Sequence, residues 1–100
     1  AGVYDEMRRN WLYPGPLGGT SNDFSAQGIR ISKQDEWNHL RILCVGPSIK
    51  TWLNGTPCAV LKDSMTPRGF IALQVHGIGN KAEAAGKEIR WKNIRIQELK

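Results

Sequence analysis

Two groups of residues in this chain are of types that bind ligands or move protons. Gln74 and His76 close the stretch GFIALQVHG, residues 69–77, and Asp5, Glu6, Arg8 and Arg9 crowd together near the start. With a strand period of two, Phe70, Ala72, Gln74 and His76 share one face of the first stretch, and Ile71, Leu73 and Val75 share the other. A strand that walls a core on one side and ends in hydrogen-bonding and titratable groups on the other is a natural floor for a ligand site. A lone His beside Gly also fits a plain loop edge. The charged cluster can line a polar cleft, or it can keep an edge strand solvated and so discourage strand-to-strand aggregation.

The elements that must position these groups read as short strands and turns. Ala1 to Glu6 alternates weakly, and Trp11-Leu12-Tyr13 is halted by Pro14-Gly15-Pro16. Leu17 to Gly28, rich in Gly, Ser, Thr and Asn, is expected to be a long loop. Ile29 to Ser32 reads as a short connecting strand and Lys33 to Glu36 as a polar turn. Trp37 opens a stronger strand, with Leu40, Ile42 and Cys44 on one face and His39, Arg41, Leu43 and Val45 on the other; His39 is expected to be structural.

Asn54-Gly55 is the sharpest local signal, because a type I′ turn needs positive φ at both central residues. It predicts a hairpin over Trp52 to Val60, with Pro57 at an edge or a non-hydrogen-bonded position. Leu61 to Arg68 is a further loop. Lys81 to Ala85 can make one helical turn, limited by Gly86. In the closing run IRWKNIRIQEL, Ile89 and Trp91 are odd-numbered while Ile94 and Ile96 are even-numbered, so a bulge or bend is expected near Asn93.

One hundred residues allow one domain with a modest core and exclude large two-domain enzymes. The net charge of +5 is dispersed, with no dense basic run interleaved with aromatics, which argues against nucleic acid. No stretch approaches the ~18 apolar residues of a membrane span, and no leader pattern opens the chain. AGVYDE reads as the middle of a strand, so a trimmed start or a further upstream segment is expected.

The cysteines can be tested by register. With Asn54-Gly55 as the turn, Cys58 lies opposite Thr51, and a turn near Pro47-Ser48 puts Cys44 one strand further away. Two strand spacings are about 9 to 10 Å, against the ~7 Å limit for a disulfide. Two free, largely buried thiols are expected, and no zinc site.

About six or seven short strands with little helix indicate an all-β antiparallel sandwich or barrel. The segments GVYDEMRRNWL, EWNHLRILCVGPSIKTWLNGTPCAVL, GFIALQVHG and IRWKNIRIQEL, in that order, resemble the 3-keto-disaccharide hydrolase domain. That family is a concanavalin-like or laminin-G-like jelly-roll sandwich common in secreted bacterial carbohydrate-degrading systems. The resemblance covers nearly the whole chain but only the C-terminal half of the family domain. It therefore implies either a single sandwich domain over residues 1–100 or half of one, whose partner strands come from an oligomer or a second chain. It also implies a periplasmic or extracellular location.

The resemblance further implies a hexose substrate oxidised at C3. A ketone there acidifies the C2 proton, so a base can remove it and the C1 substituent can leave by elimination, with water adding afterwards. By type His76 fits the base, and Arg8 and Arg9 fit the enolate stabiliser. Glu6 or Asp5 can orient a hydroxyl, hold a divalent metal or act as alternative base; Gln74 would bind a hydroxyl, and Tyr4 or Trp11 would stack on the sugar ring. Trp37, Trp52 and Trp91 are expected to be core or sheet-packing residues. A conventional glycosidase needs two carboxylates ~5 to 9 Å apart across the bond, and no such pair stands out. The alternative from another class is a carbohydrate-binding, lectin-like module without turnover.

Overall fold

The computed structural model of the chain describes residues 1–12 and 21–99. The expected stop at Pro14-Gly15-Pro16 and the opening of the expected loop from Leu17 lie outside the described residues. The chain divides into two compact units, Ala1–Pro67 and Arg68–Lys100.

Among its described residues the first unit holds two antiparallel sheets and one helix, in keeping with the all-β, sandwich-like class. Strands β1 (Val3–Asp5) and β2 (Asn10–Leu12) form a hairpin, with Tyr4 opposite Trp11 and Asp5 opposite Asn10. Helix α1 (Ser21–Ile31) follows, and then a three-stranded meander of β3 (Leu40–Val45), β4 (Ser48–Leu53) and β5 (Thr56–Lys62). The Asn54-Gly55 turn is as expected: φ is 50° at Asn54 and 82° at Gly55, and Leu53 pairs with Thr56. Pro57 lies on β5, an edge strand of its sheet, where a missing N–H is tolerated.

One bulge shapes the core. Trp52 pairs with Pro57 but Lys50 pairs with Val60, so Cys58 and Ala59 together oppose the single residue Thr51. Both are buried, and so is Thr51, whose hydroxyl donates to the carbonyl of Ala1 at 2.5 Å and accepts from the Ala59 amide at 3.0 Å. Gln27 of α1 completes this small core, donating to the Pro57 carbonyl at 3.2 Å.

Several expectations are corrected. Ser21–Ile31 is a helix rather than a loop running into a strand. Phe24, Gln27 and Ile31, spaced at helical intervals, are its more buried residues, and Asp23 in the first turn and Arg30 in the last complement the helix dipole. The stronger strand begins at Leu40 rather than Trp37, because Asn38 turns its side chain back onto the Lys33 amide and carbonyl, at 2.8 and 2.7 Å. The turn before β4 is Gly46-Pro47, with Val45 pairing Ser48 and Gly46 at φ 54°. Both thiols are free, but only Cys58 is buried. Cys44 is exposed, like most residues of β3. Trp52 is half-buried with the Arg41 guanidinium 4.7 Å above its ring, whereas Trp37 and Trp91 are exposed.

The second unit contains no strand among its described residues, so GFIALQVHG is not laddered as expected. Its alternation is real in the sequence, but alternation assigns faces and does not supply a pairing partner. Phe70, Ile71, Leu73 and Val75 are exposed. One finer expectation holds: a 3-10 turn covers Ala82–Ala84 ahead of Gly86. Asn93, where a bulge or bend in a strand is expected, has φ 54°, but no strand forms among the described residues of the closing run.

Candidate functional site

The β1–β2 hairpin gathers most of the charged candidates. Its tip, residues 6–9, is closed by the Arg8 amide donating to the Asp5 carbonyl at 3.2 Å, with Met7 at φ 57° and Asn10 at φ 62°. Positive φ is costly for Met and tolerated by Asn. This tight tip lets both arginines fold back onto the residue that precedes it.

Asp5 is the acceptor at the centre. Arg8 Nε donates to its two carboxylate oxygens at 2.9 and 3.1 Å, and Arg9 Nε donates to Oδ2. Arg9 then reaches Asp63, just beyond β5, through a two-pronged pair: Nη1 to Oδ1 at 3.2 Å and Nη2 to Oδ2 at 2.7 Å. Asp63 is itself fixed, its amide donating to the Pro47 carbonyl at 2.7 Å and its Oδ1 accepting from the Met65 amide at 3.1 Å. Arg8 Nη2 donates to Thr66 Oγ1 at 3.2 Å. Two acids and two bases thus form one charge-balanced node.

Electrostatics follow from this geometry. The Arg9 hydrogen bond, and after it Arg8, holds the Asp5 carboxyl below the usual carboxylate range against an opposing effect of desolvation. Asp63 is lowered chiefly by Arg9 and next by the Met65 amide. Arg9 is pushed up, first by Asp63 and then by Asp5. Asp5 is therefore a permanent anion at neutral pH, suited to organising cations and poorly suited to carrying protons.

Tyr4 and Trp11 are cross-strand neighbours with ring centroids 4.9 Å apart and planes tilted by 56°. Both are exposed, and Tyr4 donates its hydroxyl to Asn10 Oδ1 at 3.2 Å. Glu6 is exposed at the hairpin tip. Gln74 and His76 belong to the Arg68–Lys100 unit and are exposed there. Among the described residues no group of three or more His, Cys, Asp and Glu side chains comes together to hold a metal. The Asp5 oxygens are already taken by two arginines, so these residues do not fit a divalent ion. Asp63 and Thr66 were not singled out from the sequence: they pair with residues 54 and 58 positions away, and spacing along the chain carries no signal for that.

An antiparallel β chain with a charge-paired hairpin and an exposed aromatic pair is a scaffold compatible with carbohydrate chemistry. The family profile of the 3-keto-alpha-glucoside-1,2-lyase-like domain, also described as 3-keto-disaccharide hydrolase, matches residues 1–97. The chain belongs to this family, which places it among carbohydrate-active enzymes. No curated protein matches it. No helix among the described residues is long and apolar enough to cross a membrane.

Proposed function

We propose that the chain cleaves 3-keto-glycosides by removing the C2 proton and eliminating the C1 substituent. The observation that carries this is the family match over residues 1–97. The C3 ketone lets the electron pair of the broken C2–H bond move into an enolate. That pair then returns to form the C1=C2 bond as the C1–O bond breaks, and water adds later at C1. By residue type His76 is the base. By residue type Arg8, half exposed at its side chain, is the cation for the enolate. Glu6 orients a hydroxyl or serves as alternative base, Gln74 binds a hydroxyl, and Tyr4 and Trp11 offer a stacking surface. Asp5 and Arg9 bind indirectly, by holding Arg8 and the hairpin tip.

We place this activity in the periplasm or outside the cell, from the family's association with secreted carbohydrate-degrading systems. The exposed apolar side chains of β3, Leu40, Ile42 and Val45, support completion of the sandwich by strands from a second copy or a second chain.

Sugar binding without turnover has its own support: the exposed Tyr4–Trp11 pair is a ready stacking surface. One experiment separates the two. In heavy water, a 3-keto-glucoside is followed for C2 proton exchange and aglycone release with the wild type and with His76→Ala. Exchange and release that vanish in the variant support elimination with His76 as base. Release unchanged in the variant removes His76, and binding without exchange in the wild type leaves the lectin-like function.

A further inference from the structure

Arg9 has each of its three guanidinium nitrogens engaged, Nε by Asp5 and Nη1 and Nη2 by Asp63. It links the hairpin tip to the segment after β5, whose own backbone is anchored to the β3–β4 turn through Asp63 and Pro47. Arg8 shares Asp5 with Arg9, keeps a half-exposed side chain, and gains a second tether from Thr66. Asp63 holds Arg9, which shares Asp5 with Arg8. We propose that Asp63 is a positioning residue: it clamps Arg9, fixes the β1–β2 tip, and so presents Arg8 to the substrate.

This rests on the elimination chemistry proposed above, in which Arg8 stabilises charge that develops only in the transition state. Loosening Arg8 should then lower kcat and leave KM nearly unchanged, by about 10-fold to 100-fold, the usual cost of misplacing a catalytic group by an ångström. A merely structural ion pair would alter stability and leave that ratio alone.

The test uses the intact chain with Asp63→Asn, nearly isosteric, and Asp63→Glu, which restores the charge. Glu88→Gln is the control, since it breaks an equally short but exposed ion pair with Arg90. Turnover of a 3-keto-glucoside is measured alongside NMR of the Arg9 Nη protons, whose exchange with water reports the clamp directly. The expected result is loss of Arg9 Nη protection and a selective fall in kcat for Asp63→Asn, partial recovery for Asp63→Glu, and no change for Glu88→Gln. Lost protection with unchanged kcat overturns the positioning role, and so does retained protection in Asp63→Asn. A wild type that holds the Arg9 clamp but never turns over the glucoside overturns the elimination chemistry itself, and the two failures are thereby distinguished.

Discussion

The Asn54 side chain donates from Nδ2 to Oδ1 of Asn38 at 2.9 Å, joining the tip of the β4–β5 hairpin to the turn that follows the helix. The same Nδ2 donates to the carbonyl of Ile31, the last residue of α1, at 2.8 Å, and Oδ1 accepts from the His39 amide at 2.8 Å. Asn54 is thus a turn residue by its φ and a helix cap by its side chain.

These two roles are separable by substitution. Asn54→Gly keeps the positive φ and removes the side-chain bonds, and it should cost about 1 to 2 kcal/mol. Asn54→Ala removes both and should cost about 1 kcal/mol more, the penalty for a left-handed Ala. Urea unfolding midpoints measure the difference. Equal midpoints for the two variants would deny any contribution from φ, and a Gly variant matching the wild type would deny any from the cap.

Thr51 holds the bulge by the same logic at a buried position. Thr51→Val preserves shape but leaves the Ala59 amide and the Ala1 carbonyl without their partner, which should cost about 1 to 3 kcal/mol. Thr51→Ser, which keeps the hydroxyl, should cost clearly less. Hydrogen exchange at the Ala59 amide gives the local readout: it should accelerate in the Val variant, and unchanged protection would mean that Thr51 does not satisfy that donor.

The charge-balanced hairpin node gives a defined acid response. Asp5 and Asp63 titrate below the usual carboxylate range when folded, so the unfolded chain takes up their protons first. Their stabilising effect is complete above about pH 4, the ordinary Asp value, and is lost as pH falls from there through the lower folded values. Thermal midpoints should therefore drop more steeply below about pH 4 in the wild type than in Asp63→Asn. High salt should reduce the difference, since the pairs are only partly screened from solvent. Parallel curves for the two proteins would show that the node does not couple to folding.

What was legible in the sequence was what is local. The Asn54-Gly55 turn and the short turn before Gly86 each depend on one or two residues whose φ preference is written in their type. Helix α1 was hidden because its inward face is short, Phe24, Gln27 and Ile31, and is diluted by Ser, Asn and Gly, which favour turns. The alternation of GFIALQVHG assigns faces, yet a strand is completed by a neighbour that the segment's own residues do not specify, and no strand forms over these described residues. The charged hairpin was recognised as a cluster, whereas its anchor Asp63 was not, because an ion pair across 54 positions is fixed by the fold of the meander between them. The bulge at Cys58-Ala59 likewise shifts the expected register by one residue, through a three-way contact of Thr51 with the N-terminal segment.

The two cysteines test the meander directly. Cys44 lies on the outer strand β3 and is exposed, while Cys58 sits in the bulge, 3% exposed, with its thiol against the Thr56 carbonyl at 3.4 Å. A thiol reagent of ordinary size should therefore modify one cysteine per native chain quickly and the second only as fast as the sheet opens. Cys44→Ser should abolish the fast phase, and Thr51→Val, by loosening the bulge, should speed the slow one several-fold without changing the fast one. Two fast thiols in the wild type would mean that the bulge is not closed, and no fast thiol would mean that something covers β3. The second outcome would be informative in its own right, since the strand's exposed apolar residues, Leu40 and Ile42, share the face of Cys44 and would be covered with it.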